Sequence, residues 1–406
     1  MSDTRPRDRD ESQVSGIARH GRLKKASAVG GVFGLIGTII AVIVVAALTV
    51  TGVAVYETAS KLGPGVNIGG DHSVAPPPGI GVYPGGFNIL IVGDDTRAGQ
   101  GNIGGGINAD QGALNDVTIL LHVSADHKFA TAVSFPRDMV LPHAQCSIGG
   151  TAAGLPINTA LSYGGLPCVV TQIQSFTGLP IQFAGLITFE GVIEMADAVG
   201  GVEVCTTGTL DDPYSGAYLR GAGEHLLTGS QALAFLRSRH GVGDGSDLGR
   251  ISSQQVYLSA LVRKMEQAGT LNNPLTVYKI ASAASSNMQL SSSLESIPTM
   301  VSIASTLKNI APDHVEFVQY PGTTGGTGIF SGKVQPTLYT GNKLIALIKA
   351  DKPFTLGAQG DNRGSVAKSG STAGGKPLAG STVLNGLVGQ SASQETCSKT
   401  RPLRDQ

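Results

Sequence analysis

The 406-residue chain has no tryptophan, only four cysteines and only 14% charged residues. Lys+Arg and Asp+Glu both count 29, so neither sign of charge is in excess. Nucleic-acid-binding domains usually carry a basic surplus, so no nucleic acid is expected as a partner. Common catalytic signatures are missing as well. There is no GxSxG elbow, no HExxH helix and no GxxxxGK[ST] loop. "GDGSDLG" and "GNIGGG" are glycine-rich but lack the lysine of a phosphate loop. No CxxC or Cys/His spacing suggests zinc. No internal repeat was found. In so lightly charged a chain, any local cluster of arginines stands out.

What is present begins with a long apolar run. From Ala26 to Tyr56 there is no charged residue, and the centre reads "VGGVFGLIGTIIAVIVVAALTVTGVAV". Spanning a bilayer takes ~20 apolar residues. The apolar part of a cleaved signal peptide is only ~7–15 residues. The run therefore predicts an uncleaved transmembrane helix over 28–54, behind a basic tail over 1–27. Basic residues ahead of it place the N-terminus in the cytoplasm and the rest outside, on a single-pass cell-membrane protein. The cysteines suit that side of the membrane, where disulfides persist. Cys146 and Cys168 flank a Gly/Pro-containing loop and helix start, and are the first choice for a bridge. Cys205 and Cys397 could pair, but sequence does not fix connectivity.

Residues 55–86 are rich in Gly and Pro and read as a linker. A folded domain is expected over 87–354, and a flexible extracellular tail over 355–406. "FNILIVG" is a short apolar run like a buried strand, and "VTILLHV" with "FATAVSF" reads as a hairpin. "INTALSYGG", "CVVTQIQSFTG", "FEGVIEMADAVGG" and "SSQQVYLSALVRKMEQAG" read as helices, and "VEVC" as a strand. The alternation predicts an α/β class: an α/β/α layered domain with a mixed central sheet, preceded by one transmembrane helix.

Polar groups collect at two places in that pattern. On the helix near Asp247, the residues Ile251, Leu258, Leu261, Val262 and Met265 form an apolar stripe. Asp247, Arg250 and Gln254 continue the same stripe at its N-terminal end. Charge aimed at a core requires a pocket there, and a helix N-terminus attracts anions. The preceding "ALAFLRSRH" ends in Arg237 and Arg239, and Thr228 with Gln231 matches a capping box. Arg237 and Arg239 alone would be solvated helix-end residues. With Asp247 and Arg250 a loop away they suggest a shared anion. At the other place, Asp94, Asp95, Arg97, Asp116, Arg137 and Asp138 sit at three strand ends that an antiparallel arrangement brings to one sheet edge. Each acidic residue alone could be a turn former. Together, carboxylates suit Mg²⁺ and arginines clamp phosphate bidentately. His240 and His122 read as a bystander and a packed side chain.

These residues also carry a resemblance. "NILIVGDDTR", "NDVTILLHVSADHKFATAVSFPRD", "INTALSYGG", "FEGVIEMADAVGGVEV", "LTGSQALAFLRSRHG" and "DLGRISSQQ" occur in order, as in LytR-CpsA-Psr proteins. That family comprises membrane-anchored cell-wall glycopolymer ligases, and the cysteine loop resembles its actinobacterial members. The resemblance implies transfer of a glycan phosphate from a polyprenyl-pyrophosphate carrier to a peptidoglycan sugar hydroxyl, with Mg²⁺ (or Mn²⁺) as cofactor. It implies Asp95 and Asp116 as metal ligands. Arg97, Arg137, Arg237, Arg239, Arg250 and Gln254 would bind the pyrophosphate. Asp247, Arg137 and Arg239 would be catalytic, Asp247 as candidate base or, among arginines, as an orienting group. Where the family often has a cation, this chain has Leu114, Pro156 and Ser253. A pyrophosphatase releasing the glycan phosphate to water, a non-catalytic lipid-phosphate-binding regulator, and an anchored wall module without a ligand site are the rival readings.

Overall fold

The computed structural model describes residues 64–69, 82–95, 114–142, 146, 154–267, 274–357, 362–371 and 377–406. The expected membrane span over 28–54, most of the linker and Arg97 lie outside the described residues. Among the described residues, no helix is long and apolar enough to cross a membrane.

In chain order the main elements are β1 (Phe87–Asp94), β2 (Asn115–Val123), β3 (Ala130–Ser134), α1 (Ala160–Thr177) and β4 (Phe183–Ile187). They continue with α2 (Phe189–Ala198), β5 (Val202–Thr206), β6 (Gly223–Leu227), α3 (Gly229–Arg237) and α4 (Asp247–Gln267). Then follow α5 (Pro274–Asn287), β7 (Met288–Leu290), α6 (Ile297–Lys308), β8 (Val315–Gln319) and α7 (Leu338–Lys349). The last are β9 (Ser365–Ala367), β10 (Val388–Ser391) and β11 (Thr396–Ser398).

Seven strands form the central sheet in the order β7-β4-β1-β2-β3-β8-β10. β1, β4, β3 and β8 run one way, and β2, β7 and β10 run the other. The mixed sheet and the β2–β3 hairpin agree with the sequence pattern. The period of two in β1 sends Leu90 and Val92 to one face and Phe87, Ile89 and Ile91 to the other. α1 and α7 cover the first face with Val169, Ile173, Leu344 and Ile348. The second face packs on Leu258 and Val262 of α4 and Ile303 of α6. The result is three layers, with each fully buried aliphatic side chain contributing about 1.5–3 kcal/mol. α4 has a second buried flank. Tyr257 and Ala260 pack under a smaller sheet of order β6-β5-β11-β9.

α1 is kinked where Gly164 and Gly165 leave helical angles. A Cβ on Gly164 would come within 3.0 Å of Cys168 Cβ, so the bare backbone makes room for the bridge there. Cys146 and Cys168 are disulfide-bonded, as the sequence favours. Thr228 begins α3, but its side chain makes no capping bond; its carbonyl accepts the Gln231 N–H instead, so the capping box is not formed.

The tail expected over 355–406 is the main correction. β10 is an edge strand of the central sheet, paired with β8, and β11 is wedged between β5 and β9. Cys397 is bonded to Cys205 of β5. The Gly/Ser composition that suggests a tail marks short strands and turns, whose small side chains allow close packing. Gly389 shows this directly: a Cβ there would lie 2.1 Å from the Phe317 carbonyl oxygen.

Candidate functional site

The strand directions bring the carboxyl ends of β1, β3 and β4 and the start of β2 to one edge of the sheet. At this edge the Asp95 N–H donates to the Leu114 carbonyl at 3.0 Å. Asp116 is one residue inside β2, and Arg137 and Asp138 follow β3. The convergence expected from the sequence is therefore present for Asp94, Asp95, Asp116, Arg137 and Asp138.

The N-terminus of α4 closes onto the same edge. Arg250 donates from Nη2 to the Asp116 carbonyl at 2.9 Å and from Nη1 to Asp116 Oδ2 at 3.3 Å. Arg137 Nη1 bonds to Asp116 Oδ1. Arg250 Nη2 lies 2.6 Å from Asp247 Oδ1, and Arg239 Nη2 lies 3.4 Å from the same oxygen. Two carboxylates from distant parts of the chain are thus stitched together by three guanidiniums. The Arg250 side chain is 5% exposed, the Arg137 side chain 20% and the Arg239 side chain 30%, so the cluster opens toward solvent at Arg239. Burial would lower the Arg250 pKa, but the Asp247 and Asp116 carboxylates overcome this and leave it raised. Arg250 is a fixed cation. Among the described residues, Asp247 Oδ2, Arg137 Nε and Arg250 Nε have no hydrogen-bond partner. Buried polar atoms are normally satisfied, and these three are closed off from solvent, with Arg137 Nε 3.8 Å from Asp138 Oδ2, so the cluster holds unmet bonding capacity that a ligand would reach only by opening it.

Two predicted ligands point elsewhere. Arg237 lies over the Phe189 ring at the start of α2, 4.4 Å from its centroid. Gln254 donates from Nε2 to the Leu236 carbonyl at 2.9 Å and so ties α4 to the last turn of α3. Arg237 is on α3 and Gln254 on α4. Of the three positions without the expected cation, Leu114 offers its carbonyl to Asp95, Pro156 pairs with Val140, and Ser253 is buried with its Oγ 2.5 Å from Ser398 Oγ. The Ser398 contact comes from the C-terminal segment, which occupies the space a longer side chain at 253 would need. His122 is packed, with Nδ1 2.9 Å from Asn88 Oδ1 and Nε2 3.1 Å from Asp351 Oδ1.

Asp212 is the residue the sequence reading missed. It ends one strand of a hairpin over 210–219 and is 1% exposed. Its Oδ2 accepts from Ser238 Oγ at 2.8 Å, the Arg239 N–H at 2.9 Å and the Gly241 N–H at 3.1 Å. Its Oδ1 accepts the N–H groups of Tyr214 and Ser215. Burial pushes its pKa up, and the bonds from Ser238, Gly241, Arg239 and Ser215 outweigh that and hold it below the usual carboxylate value. The available signal was the pair Asp211-Asp212 inside an otherwise apolar hairpin, followed by Pro213.

Residues 68–344 match the LytR_cpsA_psr family. The chain belongs to this family. Over 282 residues it is 30% identical to the cell wall biosynthesis protein LcpA of Corynebacterium glutamicum, covering 62% of this chain and 53% of that protein. It is 29% identical over 203 residues to an Enterococcus faecalis protein named polyisoprenyl-teichoic acid–peptidoglycan teichoic acid transferase TagU, covering 50% of this chain and 60% of TagU. The chain thus spans about half the length of the relatives it matches. The corynebacterial match fits the actinobacterial character of the cysteine loop. Among solved structures, Bacillus subtilis TagV aligns with a TM-score of 0.53 at 23% identity, over 66% of this chain and 97% of TagV. The protein gbs0355 of Streptococcus agalactiae aligns with a TM-score of 0.55 at 23% identity, over 66% of this chain and 88% of gbs0355. These likenesses establish the LytR-CpsA-Psr fold. The family match ends at residue 344, and residues 345–406 lie beyond it.

Proposed function

We propose that this LytR-CpsA-Psr protein is a membrane-anchored, extracytoplasmic phosphotransferase that moves a glycopolymer from a polyprenyl-diphosphate carrier to a peptidoglycan hydroxyl. The observation that carries the reading is the cluster of Arg137, Arg239 and Arg250 around Asp116 and Asp247, with unfilled donors and one free carboxylate oxygen. The names of the TagU and LcpA relatives support the glycopolymer and the wall as its two substrates.

Phosphoryl transfer asks for positioning and charge neutralisation more than for covalent chemistry. The guanidiniums of Arg137 and Arg239 would hold the diphosphate oxygens, and Arg97 would add a further cation. Asp247 is anchored through Oδ1, and its Oδ2 is unpartnered but buried, so it would accept the hydrogen of the attacking sugar hydroxyl once the ligand had opened the cluster around it. Asp95 and Asp116 are the carboxylates that would hold Mg²⁺ or Mn²⁺, and since Arg137 and Arg250 occupy both oxygens of Asp116, an ion there would have to displace one of these arginines onto the ligand. That ion would neutralise charge building on the bridging oxygen.

The test is to incubate the full chain, purified in detergent, with Mg²⁺ and a short-chain polyprenyl-diphosphate glycan, with and without peptidoglycan fragments, and to weigh the products. A glycan joined to the fragments supports the transferase. Glycan phosphate released regardless of acceptor would make the protein a pyrophosphatase. Donor bound but unchanged would make it a regulator, a reading favoured by the missing cations at Leu114, Pro156 and Ser253.

A further inference from the structure

Beside the arginine cluster lies a pair of rings that the proposed chemistry does not use. Tyr214, in the turn of the 210–219 hairpin, packs on His240 with ring centroids 4.3 Å apart and planes at 40°. Tyr214 is nevertheless 74% exposed, and Tyr218 of the same hairpin is 61% exposed. Two of the chain's nine tyrosines thus stand bare on one short hairpin. Folding does not explain their exposure, because the hairpin buries itself through Leu210, Ala217 and Leu219.

The pair is fixed in relation to the site. His240 follows Arg239 directly, one Cα step of about 3.8 Å. Asp212 bonds the Arg239 and Gly241 N–H groups with one oxygen and the Tyr214 N–H with the other. Hairpin and arginine loop therefore hold their places through one buried carboxylate. Arg239 is also the most open of the three clustered arginines. A ligand whose charged part rests on Arg239 and whose next group extends toward the 210–219 hairpin would bring that group to His240 and Tyr214.

Exposed aromatic faces recognise the C–H faces of pyranose rings, which are apolar above and below and polar at the rim. We propose that Tyr214, backed by His240, is the subsite for the sugar attached to the diphosphate. Asp212 positions it against Arg239. The proposal rests on the diphosphate reading of the arginine cluster and adds to it the part of the donor that the arginines do not contact.

The experiment compares two probes on the full chain in detergent with Mg²⁺. One is a short-chain polyprenyl diphosphate bearing an N-acetylhexosamine, and the other is the same diphosphate without sugar. Tyr214→Ala should weaken the sugar-bearing probe about tenfold, the size of an aromatic contact, and leave the sugar-free probe unchanged. His240→Ala should do the same to a smaller degree, and Tyr214→Phe should retain binding. Equal weakening of both probes by Tyr214→Ala would overturn the proposal, since it would mean a general disturbance of the site. So would no weakening of either. Arg239→Ala should weaken both probes. If it weakens neither, the diphosphate reading itself has failed, whatever Tyr214 does.

Discussion

Arg250 shows how a single side chain decides what the site can be. It is 4% exposed and compensated by Asp116 and Asp247. Removing one member of a buried charge network leaves the others unpaired, at a cost of about 3–5 kcal/mol. Arg250→Ala is therefore expected to lower the melting temperature markedly, read by calorimetry; a melting point equal to wild type would contradict the network. Arg239 differs because its side chain is 30% exposed, so its loss should leave the fold intact. Asp212 is a positioning residue. Asp212→Asn offers fewer acceptor sites to the five groups that bond it, so the Arg239 loop should loosen and transfer should slow by about tenfold or more. Asp212→Glu rescuing the melting point but not the rate would separate positioning from mere stability; full activity in Asp212→Asn would contradict the clamp. The meeting of Arg137, Arg250 and Asp247 was legible because charge sat on an apolar stripe or at strand ends. Asp212 was not, because nothing in one sequence shows that a hairpin carboxylate meets a loop 26 residues later.

Among the elements, the C-terminal strands change the picture most. β10 closes one edge of the central sheet, β11 is inserted into the smaller sheet between β5 and β9, and the segment after β11 holds the loop between α3 and α4. The Gly243 N–H donates to the Lys399 carbonyl at 2.7 Å, and the Arg401 N–H to the Gly241 carbonyl at 2.9 Å. Gly243 has φ +60, and a Cβ there would lie 2.5 Å from the Arg363 carbonyl oxygen, so close approach and backbone angle both call for glycine. The Cys205–Cys397 bond ties the segment to β5 across 192 residues. Closing so long a loop removes unfolded-state entropy worth about 5 kcal/mol in the chain-entropy picture. A double Cys205→Ser, Cys397→Ser variant should melt well below wild type; an unchanged melting curve would show that the strands hold without the bond. The segment reads as a tail in sequence because strands of three or four residues rich in Ser, Gly and Thr carry no visible periodicity. The long elements, β1, β2 and α4, were legible because their apolar period extends over eight or more residues.

Across the whole molecule, the end of the sheet away from the site carries a row of buried polar residues. Asn88, His122, Thr131, Glu316 and Ser391 are register neighbours on five successive strands. Glu316 Oε2 has no hydrogen-bond partner among the described residues, and burial raises its pKa to about 8. The folded protein therefore holds a proton on Glu316 that the unfolded chain has already lost above its model value of 4.5, so stability should fall as pH rises from about 5 to about 8. Burial lowers the His122 pKa, against the opposing effect of Asp351, so protonation of the unfolded chain costs stability as pH drops below 6.5. Glu316→Gln should flatten the alkaline side of the stability profile and leave the acidic side; equal profiles would contradict a buried neutral carboxyl.

At this scale the central claim is that sheet edge and helix N-terminus together form a diphosphate site. The most direct measurement is the affinity of the full chain for a sugar-free short-chain polyprenyl diphosphate by titration calorimetry with Mg²⁺, wild type against Arg239→Ala. The account predicts binding in the wild type and a loss of about tenfold to a hundredfold in the variant, the value of charge-assisted hydrogen bonds. Equal affinity in the two proteins, with the variant melting normally, would contradict it.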